Sequence, residues 1–264
     1  MSDPVRVHTS SDASRVGVAP VFVLVHGIGA SHRYFGRLHD ELARHGDVHA
    51  VDLPGFGGLP RPDGPRSIAQ LADALASRLD ALGVAGAVLV GHSMGAQVVV
   101  ELAVRHPALV SHLVLLGPVT DPERSSPVVQ AWDLFRDMLR EPPSANVLVL
   151  ADYLRCGPRW YLTELPAMLR YPTLDAVRRA PCPVLVVRGA DDPVARARWA
   201  ARVAAAAADG RLLEVAGARH VVQHRRPQET ATAITAFVGR RAPSGRSATG
   251  RPRDPGGDGH AAPA

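Results

Sequence analysis

Ala87-Val88-Leu89-Val90-Gly91-His92-Ser93-Met94-Gly95-Ala96 is the stretch on which the fold turns. It opens as a short, continuous apolar run, the pattern of a strand buried on both faces. It continues as Gly91-His92-Ser93-Met94-Gly95, a G-x-S-x-G motif, and leads into a helical pattern over Met94–Arg105. Strand, sharp turn and helix in that order put one serine at the point of the turn. Glycines on both sides remove Cβ atoms that would collide where strand and helix approach. The serine side chain then projects above the end of the strand, and the helix start beneath it favours negative charge. Ser93 is therefore the expected nucleophile.

Outward from this turn, apolar runs alternate with amphipathic stretches. Val21–Val25, His49–Asp52, Val88–Val90, Leu113–Leu116, Val184–Val187 and Leu212–Val215 read as strands. Helical patterns fill the intervals: Ser67–Leu82, with Ile68, Leu71, Leu75, Leu79 and Leu82 on one face, then Met94–Arg105, Arg196–Ala207 and Pro227–Arg240. The alternation predicts a doubly wound, mostly parallel α/β sheet with helices on both faces. Residues 5–9 suggest an added outer antiparallel strand. From Thr120 to Ala180 no strand pattern occurs. Val128, Val129, Trp132, Phe135, Met138 and Leu139 recur at helical spacing there, and Pro142-Pro143, Gly157-Pro158 and Pro166 punctuate shorter helices. The expected organisation is a core of residues 1–119 and 181–241, a helical lid of residues 120–180, and a basic tail of residues 242–264 without stable structure. The lid should cover the sheet's carboxyl edge, where ligands bind in open α/β sheets. Its Trp132, Phe135, Met138, Trp160, Tyr161 and Met168 are candidates to line an apolar or aromatic pocket.

An activated serine needs a base, and the base needs an acid to orient it. His220 ends the loop Ala216-Gly217-Ala218-Arg219-His220 after the strand Leu212–Val215 and is the candidate base. His224 competes with it, a surface position being its plainer reading. Asp192 follows the strand Val184–Val187 in Arg188-Gly189-Ala190-Asp191-Asp192 and is the candidate acid. Asp191 and Asp121 are the alternatives. Acyl transfer also builds charge on a carbonyl oxygen, which backbone N–H groups must meet. Met94, just after the nucleophile, and Ile28, in His26-Gly27-Ile28-Gly29 after the strand Val21–Val25, are the candidate donors. His26 and His92 should pack or cap beside these motifs.

With these marks together, the sequence resembles the α/β-hydrolase superfamily, in its branch of small lidded esterases, lipases, thioesterases and carbon–carbon bond hydrolases. The resemblance runs from about Val21 to Phe237 and rests on five motifs. They are His26–Gly29, Asp52-Leu53-Pro54-Gly55-Phe56-Gly57, Gly91–Gly95, Gly189–Asp192 and Gly217–His220. It implies the α/β-hydrolase fold and a Ser-His-Asp triad of Ser93, His220 and Asp192. In the family the acid and the histidine each sit three residues after a glycine, which maps them to Asp192 and His220. A serine nucleophile separates the chain from relatives of this fold that use a carboxylate. The chain departs from many relatives in carrying Val221 where an aromatic residue follows the histidine, and Arg225 where a glutamate stands two residues before Pro227.

Composition narrows the partners. The 264 residues carry a net charge of +5, and with no lysine present all 30 cations are arginines. From Arg240 onward five arginines face two aspartates, a net +3, which leaves only +2 for the rest. Most of the basic excess thus lies from Arg240 onward, and nucleic acid is not an expected partner. No apolar run approaches the roughly 18–20 residues that span a bilayer, and the first residues lack the pattern of a secretory signal. The expectation is a cytoplasmic protein with no membrane partner. Cys156 and Cys182 lack metal-ligand spacing and read as packed thiols. The expected activity is hydrolysis of an ester-type bond in a small apolar or aromatic substrate, through an acyl-enzyme, with no metal and no organic cofactor. Carbon–carbon hydrolysis and thioesterase or acyltransferase chemistry use the same triad and are the alternatives. A ligand-binding protein of the same fold is the non-enzymatic one. The sequence leaves the substrate and the oligomeric state open.

Overall fold

The computed structural model describes residues 3–11, 19–124, 132, 136–137, 140–141 and 143–240. The tail of residues 242–264, and Phe135 and Met138 of the expected pocket, lie outside the described residues.

The strands are β1 (Arg6–Ser10), β2 (Val21–Val25), β3 (Asp47–Asp52), β4 (Ala87–His92), β5 (Val110–Leu116), β6 (Val184–Gly189) and β7 (Gly210–Val215). They form one seven-stranded sheet in the order β1-β3-β2-β4-β5-β6-β7. β1 runs antiparallel to β3, as expected of residues 5–9, and every other pairing is parallel. β4 is central and buried along its whole length, whereas the edge strand β7 alternates between exposed and covered residues. The winding direction changes between β2 and β4, so their carboxyl ends open the crevice that doubly wound sheets use for ligands.

Successive strand residues face opposite sides, and each side has its own core. Val23, Val25, Leu89, Leu113, Leu115 and Val186 pack with α2 (Ile68–Ala81), α3 (Met94–Arg105) and α7 (Ala197–Ala206). Phe22, Leu24, Val88, Val90, Val114 and Val187 pack with α1 (Gly36–Leu42) and α9 (Pro227–Val238). Helix α2 starts at a reciprocal cap, Ser67 Oγ accepting from the Gln70 N–H and Gln70 Oε1 from the Ser67 N–H, which satisfies two groups a helix start leaves bare. Helix α1 and the four-residue α8 (Val222–Arg225) have no counterpart in the sequence reading. Seven and four residues are too few to show a helical period.

Between β5 and β6 the described residues hold α4 (Pro143–Cys156), α5 (Pro158–Arg170) and α6 (Thr173–Arg179), and no strand. Among the described residues no helix is long and apolar enough to cross a membrane.

Candidate active site

Ser93 sits where β4 gives way to α3, with φ 55° and ψ −119°. A non-glycine residue in that region costs about 1–3 kcal/mol and persists only where its surroundings enforce it. Here they do. The Ser93 N–H donates to the Leu116 carbonyl at the end of β5, 3.0 Å away. Helix α3 also starts so close to β2 that a Cβ on Gly95 would run into the Val25 carbonyl. The hydroxyl-bearing residue is thereby pinned between two parallel strands, 8% exposed.

The loop after β2 faces it. A Cβ on Gly27 would come 2.9 Å from Ser93 Cβ. The Ala30 N–H donates to the Gly27 carbonyl, closing a β-turn whose third residue, Gly29, has φ 76°; that conformation suits glycine. His26 Nδ1 donates to the same carbonyl at 2.8 Å, while His26 Nε2 accepts from the Leu53 N–H at 3.0 Å. With the Gly27 carbonyl held twice, the trans peptide plane fixes the Ile28 N–H pointing the other way. The Met94 N–H belongs to the first turn of α3, where helical partners are lacking.

On the far side of Ser93, the loop after β7 brings His220 to the loop after β6. His220 Nδ1 donates to Asp192 Oδ2 at 3.0 Å, and both residues are 4% exposed. Asp192 Oδ1 accepts from the N–H groups of Val194 and Ala195 at 2.7 and 3.0 Å. Burial opposes charge on Asp192, but the His220 charge and these donors outweigh it and hold the carboxyl below its ordinary value. Burial likewise opposes the His220 imidazolium. Asp192, with Asp137 and Glu141 further off, overcomes it and raises the histidine to about 9. His220 lies against Gly117 at the end of β5, where a Cβ would be 3.1 Å from the ring. Among the described residues no hydrogen bond joins Ser93 Oγ to His220; such contacts commonly tighten only when substrate binds.

The alternatives point elsewhere. Asp191 is exposed. Asp121 Oδ1 accepts from the Glu123 N–H at 3.1 Å. His224 is not at the surface, as its plainer reading had it. It is 3% exposed, with Nε2 3.2 Å from Ser144 Oγ, because α8 turns it inward.

Helices α4 and α5 cover the loop after β2. Tyr153 and Tyr161 lie on Gly29, and Trp160 on Gly55, whose Cβ would meet Trp160 Cε2 at 2.6 Å. Trp160 and Met168 are buried and Tyr161 half-buried, whereas Trp132 is 55% exposed. Four buried carboxylates fasten this layer. Asp137 Oδ1 accepts from the His220 N–H and Arg219 Nε, both at 3.3 Å. Glu141 Oε1 accepts from the Val221 N–H at 3.3 Å. Asp152 accepts from Ser31 Oγ at 2.6 Å, and Glu164 from the Arg66 N–H at 3.0 Å. None was anticipated from sequence; acids scattered among helical residues read as a solvated face.

His8, His32 and Asp52 form a group of metal-ligand types. The two imidazoles stack with centroids 3.4 Å apart and planes 17° from parallel, so their nitrogen lone pairs run side by side rather than converging. Both rings lie within hydrogen-bond distance of Asp52, and the Arg6 guanidinium stands 3.7 Å from it. The group is built as a clasp holding β1 to β3. Cys156 and Cys182 are free thiols, each raised by burial to about 11.

Comparison with known proteins agrees with this architecture. The model of the alpha/beta hydrolase family matches residues 22–233. A probable 1-acylglycerol-3-phosphate O-acyltransferase from Oryza sativa is 39% identical over 105 residues, 38% of this chain and 25% of that protein. The matched region thus spans about a quarter of that relative's length. A pimeloyl-[acyl-carrier protein] methyl ester esterase from Neisseria meningitidis is 31% identical over 196 residues, 65% of this chain and 74% of that protein. A hydrolase from Pseudomonas aeruginosa PA01 superposes with a TM-score of 0.74 at 25% identity, over 89% of this chain and 94% of the other. The chain belongs to the alpha/beta hydrolase family.

Proposed function

We propose that the enzyme is a serine hydrolase that cleaves an ester-type bond of a small apolar or aromatic substrate through an acyl-enzyme. One observation carries this reading: Ser93 stands at a strained turn between β4 and α3, and the next loops of the same sheet edge present a buried His220–Asp192 pair 3.0 Å apart.

His220 removes the Ser93 proton as Ser93 Oγ attacks the carbonyl carbon. The Ile28 and Met94 N–H groups meet the resulting oxyanion. His220 then gives its proton to the leaving group, and the acyl group stays on Ser93. Water, deprotonated by His220, releases the acid and restores the serine. Asp192, held by two backbone N–H groups, keeps the proton of neutral His220 on Nδ1, so that Nε2 is the basic nitrogen. These steps call on side chains, backbone N–H groups and water.

The helices over the sheet edge act as a lid, and Tyr161 and Trp160, seated on Gly29 and Gly55, would bound the acyl pocket. A carrier-bound ester is the second reading, favoured by the similarity to the Neisseria methyl ester esterase. A cytoplasmic setting fits two free cysteines.

A fluorophosphonate probe tests the assignment, because an activated serine traps phosphorus as it traps a tetrahedral intermediate. Intact mass should show one adduct, absent from Ser93→Ala. No adduct, or one that persists in the variant, overturns it. A series of p-nitrophenyl esters of rising chain length then sizes the pocket.

A further inference from the structure

Three loops must meet within a fraction of an ångström for the proposed chemistry: the one carrying Ile28, the turn carrying Ser93 and the one carrying His220. Beneath them a buried chain of polar groups connects all three. The Gly27 N–H donates to Tyr34 Oη at 2.8 Å. Tyr34 Oη lies 2.7 Å from His92 Nδ1. His92 Nε2 lies 2.9 Å from the His220 carbonyl oxygen.

The direction of every proton in this chain follows from chemistry. A carbonyl only accepts, so His92 carries its proton on Nε2. Nδ1 is then an acceptor and takes the Tyr34 O–H, and the phenol oxygen accepts from Gly27. Tyr34 and His92 are each 3% exposed, so water does not replace a lost partner at low cost. Protonating His92 would set an N–H against the Tyr34 hydroxyl proton and break the sequence. Burial, followed by the charge of His220, prevents that by pressing His92 down to about 3.

We propose that His92 and Tyr34 are positioning residues, a two-residue strut that sets the spacing between the oxyanion loop, the nucleophile turn and the backbone of His220. His92 is the residue next to Ser93, so the strut is anchored to the nucleophile turn through the chain itself. Neither residue touches substrate. Their effect is on the alignment of the groups that do, and a displacement near 1 Å at such a site can cost about 10²-fold in rate.

The inference rests on the roles proposed for Ser93 and His220, and one set of measurements separates the two. Steady-state kinetics on a p-nitrophenyl ester and the rate of fluorophosphonate labelling are read for wild type, Tyr34→Phe, His92→Gln, His92→Asn, His92→Ala and the double variant Tyr34→Phe/His92→Ala, with Tm for each. If wild-type Ser93 is not labelled, the functional reading fails and the strut has nothing to position. With labelling intact, His92→Ala and His92→Asn should lower kcat and labelling rate by about 10–100-fold with KM unchanged. His92→Gln, whose amide N–H reaches the position of Nε2, should recover most of that loss. Tyr34→Phe should add nothing to His92→Ala, since residues acting through one chain are not additive. Near-wild-type rates in all variants, losses confined to KM, no rescue by glutamine, or fully additive losses would each overturn the strut. If His92→Ala does not fold, the glutamine–asparagine contrast and Tyr34→Phe decide alone.

Discussion

Two sets of carboxylates are buried on either side of the crevice, and burial acts on them alike while their partners do not. On the sheet side, Asp52 and Asp192 each collect several donors, and both are held below their ordinary values despite burial. On the side of the proposed lid, burial raises Asp137, Glu141, Asp152 and Glu164, and among the described residues each accepts from only one or two hydrogen-bond donors. Oε2 of Glu141 and of Glu164 is buried with no hydrogen-bond partner among the described residues. The sheet side is thus organised to hold charge, whereas in the proposed lid burial favours the neutral acids. The difference fits the proposed reaction, which needs a fixed carboxylate, Asp192, to orient His220.

The largest effect should come from the body. Asp192→Asn leaves a neutral amide that can hold the wrong tautomer of His220, a lesion costing about 10⁴ in kcat in a worked serine protease example. A loss of that order with an unchanged circular dichroism spectrum is expected. Asp191→Asn and Asp121→Asn, on residues that do not face His220, should stay near wild type. Collapse in either, with Asp192→Asn active, would move the acid to another loop.

A smaller effect links the two sides. His220 must be neutral to act as base, and its charged form is favoured by Asp192, Asp137 and Glu141 against burial, with neutral His92 alongside and Arg219 next in the chain. The acid limb of kcat/KM, which reports the free enzyme, should have its midpoint above the ordinary 6.5, moved toward about 9. Asp137→Asn keeps an acceptor for the His220 N–H and removes a charge, so the midpoint should fall by up to about one unit. A wild-type midpoint at or below 6.5, or one that Asp137→Asn leaves in place, would detach the lid acids from the histidine.

The sheet and the candidate site were legible in the sequence for a common reason. Buried parallel strands are written as apolar runs, and the turn at Ser93 requires glycines at fixed spacing. Short-range chemistry of this kind leaves a local pattern. Tyr34, Asp137 and Glu141 leave none, because their partners are backbone groups or residues 58 to 83 positions away, met only after the sheet is assembled. The reading of His224 failed for the same reason. Whether a histidine four places past His220 faces inward depends on a four-residue helix too short to announce itself.

The smallest effect isolates the lid. Glu164 is 1% exposed and is pushed up to about 7 from 4.5, chiefly by burial; among the described residues only the Arg66 N–H donates to it, on one oxygen. A carboxyl raised on folding gives its full stabilisation below the unfolded value and loses it as pH rises through the folded one. The stabilisation from this contact should therefore be complete below about pH 4.5, fall as pH rises above it and be lost once pH passes about 7. Glu164→Gln keeps an acceptor for Arg66 and imitates the protonated acid at every pH. At pH 8 it should raise Tm by a few degrees, since about 1 kcal/mol moves Tm by roughly 2–4 °C in a chain of this size. At about pH 4, below the unfolded value of 4.5, wild type and variant should melt together. Equal Tm at both values would mean that Glu164 is solvated when ionised. A lower Tm for the variant at pH 8 would mean that its charge is paired in the folded state, as Asp192 is, and the contrast between lid and body would not hold at this residue.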